Sequence, residues 1–325
     1  MFFSDPLHSK NQNNPSPYNY GSAQRLLSNY CHQHGSYGTN GQLLKNNWEN
    51  LTFTALIDKL RLCGHVRFRP EFKSSFRKCS NGIGYFSKKL GIWTSLWPGK
   101  IPPQSQNTRY SKLNPSHFSN VNGLLAFIFQ VFEIQHLDEL KISSIDVTLD
   151  INCEHELILQ HLNFKRSLKY QTFGEHGQTE TLNAGRARGG RRAKTRTYNK
   201  SKEMRDVRNI EIPARTRIEK QVSCSKTPLS EISVIGQLDY FEHISLCNYG
   251  VKNNLTDEKR EIAKMFNSLR VEYGPWAFRR RLKHNYGYEY KTLDKVIVVE
   301  DLKVPLSEIW KSQISYFFEG GNNAQ

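Results

Sequence analysis

The chain has 325 residues, with 46 Lys and Arg against 30 Asp and Glu, a formal net charge of +16 and 12% aromatic residues. That length allows two domains, or one elaborated domain with a proper core, and the charge excess gathers in 59–112, 186–226 and 279–291 among interleaved aromatics. Such clusters point to a polyanionic partner, most simply nucleic acid. The six cysteines lie far apart with no C-x-x-C pair, which argues against a zinc ribbon or disulfide scaffold and fits reduced thiols in a cytoplasmic protein.

Residues 1 to 45 are rich in Asn, Ser, Gln, Gly and Tyr and read as a disordered polar arm. Within it, His32-Gln-His34 lacks the hydrophobic middle residue and strand context of a His-x-His metal motif, so a solvated pair is the better reading. From Asn50 to Arg61, the spacing of Leu51, Ala55, Ile57 and Leu60 predicts a short amphipathic helix, and Val66 to Arg69 alternates like a strand. Trp93 to Pro115, with its prolines, reads as a long loop or a pair of short strands. Asn120 to Leu137 reads as a helix whose apolar run, Leu124 to Phe132, is too short to span a bilayer.

The pattern then becomes strict. In Ser144-Ile-Asp-Val-Thr-Leu-Asp-Ile151 the aliphatics Ile145, Val147, Leu149 and Ile151 face one way, and Asp146, Thr148 and Asp150 the other. A helix-like stretch from His155 to Phe164 and the segment Tyr170 to Phe173 lead into the arginine-rich run from Gly185 to Tyr198. Its register puts Lys194, Arg196, Tyr198 and Lys200 on one face. Arg215 to Val222 alternates again, with Arg215, Arg217, Glu219 and Gln221 opposite Ile218 and Val222. If these three segments pair in one antiparallel sheet, their loaded faces must coincide, because a one-residue slip would bury the charges. Residues 201–213 are expected to connect two of the strands, partly as helix.

Beyond residue 228 the chain reads as mainly helical, with apolar residues three apart between Leu229 and Leu246 and a partial cap at Thr256. A second basic and aromatic cluster, Arg279 to Lys291, suits DNA docking. The expected fold is α+β: a central antiparallel sheet carrying the active site on one face and helices on the other, followed by a helical C-terminal part. The expected boundaries are 1–45 for the arm, 46–227 for the catalytic domain and 228–325 for a DNA-binding region.

Breaking a phosphodiester needs an in-line nucleophile, neutralisation of the phosphoryl oxygens and, usually, a divalent metal. Carboxylates on rigid strands supply oxygen ligands for Mg²⁺ or Mn²⁺, which makes Asp146, Asp150 and Glu219 candidate metal ligands. Tyr198 is the candidate nucleophile, and Lys200 or Arg196 would stabilise the phenolate and phosphate. Each residue alone has a plainer reading. An aspartate can sit on any strand surface, Glu219 can pair with an arginine, and Tyr198 is one of fifteen tyrosines. The shared alternation phase is what joins them.

Over about 120–222, Ile145-Asp-Val-Thr-Leu-Asp150, Arg196-Thr-Tyr-Asn-Lys-Ser-Lys-Glu203 and Thr216-Arg-Ile-Glu219 resemble a three-motif layout. It is that of rolling-circle replication initiators of the filamentous-phage gene II type and related plasmid replication initiation factors. The resemblance implies a site-specific, metal-dependent nickase. In it Tyr198 becomes linked to a 5′ phosphate and leaves a 3′ hydroxyl, with Asp146, Asp150 and Glu219 as metal or acid residues and Mg²⁺ or Mn²⁺ as cofactor. Its substrate would be origin DNA, supercoiled or in a hairpin, with a host helicase and polymerase as partners. The expected DNA-binding cations are Arg186, Arg188, Arg191, Arg192, Lys194, Arg217, Arg279, Arg280, Arg281 and Lys283. Two alternatives stay open: a non-catalytic DNA-binding replication or transcription regulator, and an RNA-binding protein that stacks bases on its aromatics.

Overall fold

Phe53–Cys63 form a strand, β1, in place of the helix expected over 50–61. It pairs along its whole length with β6 (Lys141–Ile151), and the register shifts between Ile57 and Lys59, which makes Asp58 the extra residue of a bulge. Phe53, Ala55 and Ile57 keep one phase before the bulge, and Leu60 and Leu62 keep it after. The skipped residue turns a step of two into a step of three, which is what imitates helical spacing.

The structure is a computed structural model that describes residues 51–79, 84–96, 108–164, 170–173, 181–184, 194–273 and 295–319. In chain order the further strands are β2 (Arg77–Lys78), β3 (Tyr85–Ser87), β4 (Ile92–Leu96), β5 (Thr108–Leu113), β7 (Leu162–Phe164), β8 (Tyr170–Phe173), β9 (Thr181–Ala184), β10 (Lys194–Asn199), β11 (Thr216–Pro228), β12 (Ile244–Val251) and β13 (Ile297–Asp301). Ten of the strands make one antiparallel sheet in the order β2-β3-β4-β5-β1-β6-β11-β10-β9-β8, and a smaller sheet runs β13-β12-β7. The three segments with strict alternation, β6, β11 and β10, are direct neighbours at its centre.

One face of the large sheet is aliphatic. Ile145, Val147, Leu149, Ile151 and Ile218 are buried there. Helix α2 (Val121–Val131) buries Val121, Leu124, Ile128 and Val131, and the Asn120 side chain caps it by accepting from the Gly123 N–H. The last helix, α7 (Leu306–Glu319), buries Leu306, Ile309, Trp310, Ile314 and Phe318 at helical spacing, and Trp310 meets the rings of Tyr240 and Phe241. It also seals the outer edge of β1 where β5 has ended. Gln313 Oε1 accepts from the Ala55 N–H at 2.6 Å, and Gln313 Nε2 donates to the Phe53 carbonyl at 2.8 Å.

The shorter helices are α1 (Pro70–Lys73), α3 (His155–His161) and α4 (Lys200–Arg208). The Val66–Arg69 segment makes one isolated bridge, Phe68 to Phe132, rather than a strand. Within 228–325 the expected long helix from Leu229 to Leu246 is instead the five-residue α5 (Ile232–Gly236) followed by β12. Two side-chain contacts accompany the end of that helix. The Phe318 ring lies so close to Gly236 that any Cβ would strike it, and Asp239 Oδ1 accepts from the Phe241 and Glu242 N–H groups. Helix α6 (Asp257–Tyr273) then packs Ile262, Ala263 and Phe266 against Val296 and Ile297.

Candidate active site

On β6 and β11, Asp146 opposes Gln221, Thr148 opposes Glu219 and Asp150 opposes Arg217; on β10, Arg196 opposes Glu219 and Tyr198 opposes Arg217. Opposed residues share a face. Asp146, Asp150, Arg196, Tyr198, Arg217 and Glu219 therefore stand together on the side away from the aliphatic core. Lys200 does not continue the strand. Asn199 caps α4 through the Lys202 N–H, and Lys200 starts that helix, with its ammonium 6.0 Å from the Tyr198 ring centre and 2.6 Å from Glu203. Lys194 holds its register opposite Gln221.

The bulge in β1 delivers three residues that alternation alone did not reveal: Asp58, Lys59 and Arg61. Because Asp58 is the inserted residue, Lys59 rather than an aspartate falls opposite Asp146. Its ammonium lies 3.0 Å from Asp58, 3.5 Å from Asp146 and 3.9 Å from Glu219. Burial works to lower the Lys59 pKa, but the three carboxylates outweigh it and raise the value above the usual lysine range. Arg61 grips Asp146 with both terminal nitrogens, at 2.9 and 3.2 Å, and donates to Ser144 at 2.9 Å. The readable signal was the alternation on either side of Asp58, offset by one.

Arg217 makes a fork on Asp150 at 2.6 and 2.8 Å and reaches Asp58 at 3.3 Å with its third nitrogen. Arg196 is engaged differently. A single nitrogen, Nη2, serves both Glu219 oxygens at 2.8 and 2.9 Å, and its Nε is buried with no partner. The same guanidinium lies over the Tyr198 ring, 4.8 Å from the centroid. Tyr198 is 7% exposed, and its hydroxyl donates to Glu219 Oε2 at 3.4 Å. Burial pushes the phenol pKa far above its ordinary value; Arg217 pulls it down, and Glu219 adds to the rise.

Asp146, Asp150 and Glu219 do not form the expected metal site in this arrangement. Each carboxylate is held by a guanidinium, and the point where Asp58, Asp146 and Glu219 meet is filled by the Lys59 ammonium. Among the described residues no three His, Cys, Asp or Glu side chains are placed to hold a metal ion. The donor set therefore does not fit Mg²⁺ or Mn²⁺ as it stands. Of the expected DNA-binding cations, Arg186, Arg188, Arg191, Arg192, Arg279, Arg280, Arg281 and Lys283 lie outside the described residues, as do His32 and His34. No helix among the described residues is long and apolar enough to cross a membrane.

No family model and no curated protein matches the chain. Among solved structures it is similar to a rolling circle replication initiator protein from Geobacillus stearothermophilus, at 15% identity and a TM-score of 0.33 over 64% of this chain and 91% of that one. A superposition that loose assigns no role to any residue.

Proposed function

We propose that the protein cuts and rejoins one strand of DNA through Tyr198, at an origin where the cut starts rolling-circle replication. The observation that carries this reading is the Tyr198 hydroxyl donating to Glu219 under the Arg196 guanidinium. A phenol with a raised pKa needs a proton acceptor at the moment of attack, and Glu219 is within reach; such contacts are often long before substrate binds. Tyr198 Oη attacks phosphorus in line as its proton passes to Glu219. The P–O3′ bond breaks, the 3′ oxygen takes a proton from water, and the phosphate stays as a 5′ ester of the tyrosine. Attack by a 3′ hydroxyl on that ester reverses the bookkeeping and seals the strand. Arg196, the more exposed of the two guanidinium groups that hold Glu219 and Asp150, is the group that a phosphate engages first. When it turns to the phosphate it uncovers the ring beneath it. The motif resemblance supplies the setting, a 3′ end for a host polymerase to extend beside a host helicase.

The test is to incubate the protein with oligonucleotides tiling its own genetic element, isolate any covalent adduct and map it by mass spectrometry. The adduct is expected on Tyr198, and Tyr198→Phe should lose it while still binding DNA. Normal nicking by Tyr198→Phe would sink the proposal. Parallel reactions with Mg²⁺, Mn²⁺ and a chelator establish whether a divalent ion is needed. The closed ion pairs and the burial of Tyr198 favour one other reading, a protein that binds DNA without cutting it, under which no adduct forms with any oligonucleotide.

A further inference from the structure

We propose that the outer wing of the large sheet, from β1 through β5, β4 and β3 to β2, is a docking track for single-stranded DNA continuous with the Tyr198 site. It takes only the location of that site from the reading above, not its chemistry. Across the wing Arg77 opposes Phe86, Phe86 opposes Trp93, Trp93 opposes Lys112, and Lys112 opposes Arg61. Opposed residues point to one face, so these five side chains stand in a row across five strands. At ~4.8 Å per strand the row is about 19 Å long.

Two observations place the row on the face of the candidate site. Arg61, its inner end, is bonded to Asp146 and Ser144. Lys112 has its pKa lowered by burial and by Lys59 and Arg61, so the three cations are neighbours. The alternate residues Ile92, Thr94, Ser111 and Leu113 are buried on the opposite side.

The chemistry of the row identifies its occupant. Cations hold the two ends and aromatics the middle, with Phe86 43% exposed and Tyr110, another outward residue of β5, also exposed. Gly84 keeps room for the Trp93 indole: a Cβ there would come within 2.5 Å of the ring. Aromatic faces interleaved with cations bind a strand whose bases are open to stacking. A duplex offers phosphates to the cations but keeps its base faces inside the helix, so the aromatics favour the single strand.

The experiment uses the full chain carrying Tyr198→Phe, so that chemistry does not enter, and follows the anisotropy of a labelled 12-nucleotide DNA strand and of its duplex. Phe86→Ala and Trp93→Ala should each weaken single-strand binding at least fivefold and change duplex binding less than twofold. Lys112→Gln should flatten the salt dependence of single-strand binding by about 0.7 in logarithmic slope. Unchanged single-strand affinity in both aromatic variants, equal losses on strand and duplex, or preference for the RNA form of the strand would overturn the proposal. Phe86 is exposed, so its variant keeps the test decisive if Trp93→Ala fails to fold. A missing covalent adduct would count against the nicking reading and leave this binding result standing.

Discussion

Two arginine–carboxylate pairs meet on β11, built from the same chemistry and put to different ends. Arg217 reaches one way to Asp150 on β6, and Glu219 is reached from the other side by Arg196 on β10. The first pair is shut away, with side chains 6% and 3% exposed; in the second, Arg196 is 39% exposed over a Glu219 that is 7% exposed. Arg217 spends three nitrogens on two aspartates, whereas Arg196 spends one and leaves Nε without a partner. A saturated guanidinium fixes the sheet. One that is part-exposed beside a phenol is, in the function proposed above, the group that meets the phosphate.

The comparison is open to experiment, and the largest expected effect is on the closed pair. Asp150→Ala leaves the Arg217 charge buried and should lower the unfolding free energy by about 3–5 kcal/mol in urea titrations. A loss below about 1 kcal/mol would show that the pair is not a structural lock. Arg196→Gln should do the reverse, reducing adduct formation about 10²–10³-fold while stability moves by no more than about 1 kcal/mol. Should stability fall as far as in Asp150→Ala, the two pairs would be equivalent and the contrast gone. A double-mutant cycle on Arg196 and Glu219, read by denaturation, should return a coupling of about 0.2–1 kcal/mol, well under that of Arg217 and Asp150.

The smallest effect is on pH dependence. Burial tends to raise the Asp58 pKa, but Lys59, Arg217 and Lys200 outweigh it and hold the value below the usual aspartate range. A depressed folded pKa means stabilisation that is complete above the unfolded value, about pH 4, and is lost as pH falls through the folded value. Asp58→Asn should therefore flatten the decline in stability below about pH 4. An identical slope in the variant would show that Asp58 is no part of the closed pair around Arg217.

What was legible in the chain follows from which interactions are local. Period two in Ser144–Ile151 and Arg215–Val222 depends only on neighbours, and it placed Asp146, Asp150, Arg217 and Glu219 on one face. β1 obeys the same rule but carries the Asp58 bulge, and one inserted residue was enough to make it read as helix and conceal Lys59 and Arg61. The segment after Leu229 misled for another reason. Ile232 and Ile235 do start a helix, but it is short, and its last residue, Gly236, packs against the ring of Phe318, far along the chain. Ion pairing was legible for Glu219, which stands among arginines, but not its partner, and not for Asp146, because Arg61 lies 85 residues away and only the finished sheet shows which carboxylate each cation takes.

The Gln313 contact carries a consequence for synthesis. The strand that delivers Lys59 and Arg61 leaves the ribosome 258 residues before the side chain that covers its outer backbone. Until Gln313 arrives, the Ala55 N–H and the Phe53 carbonyl are open to strand pairing with other nascent chains. A chain that stops short of α7 would thus keep every residue of the candidate site and still present an unsealed, aggregation-prone edge beside it.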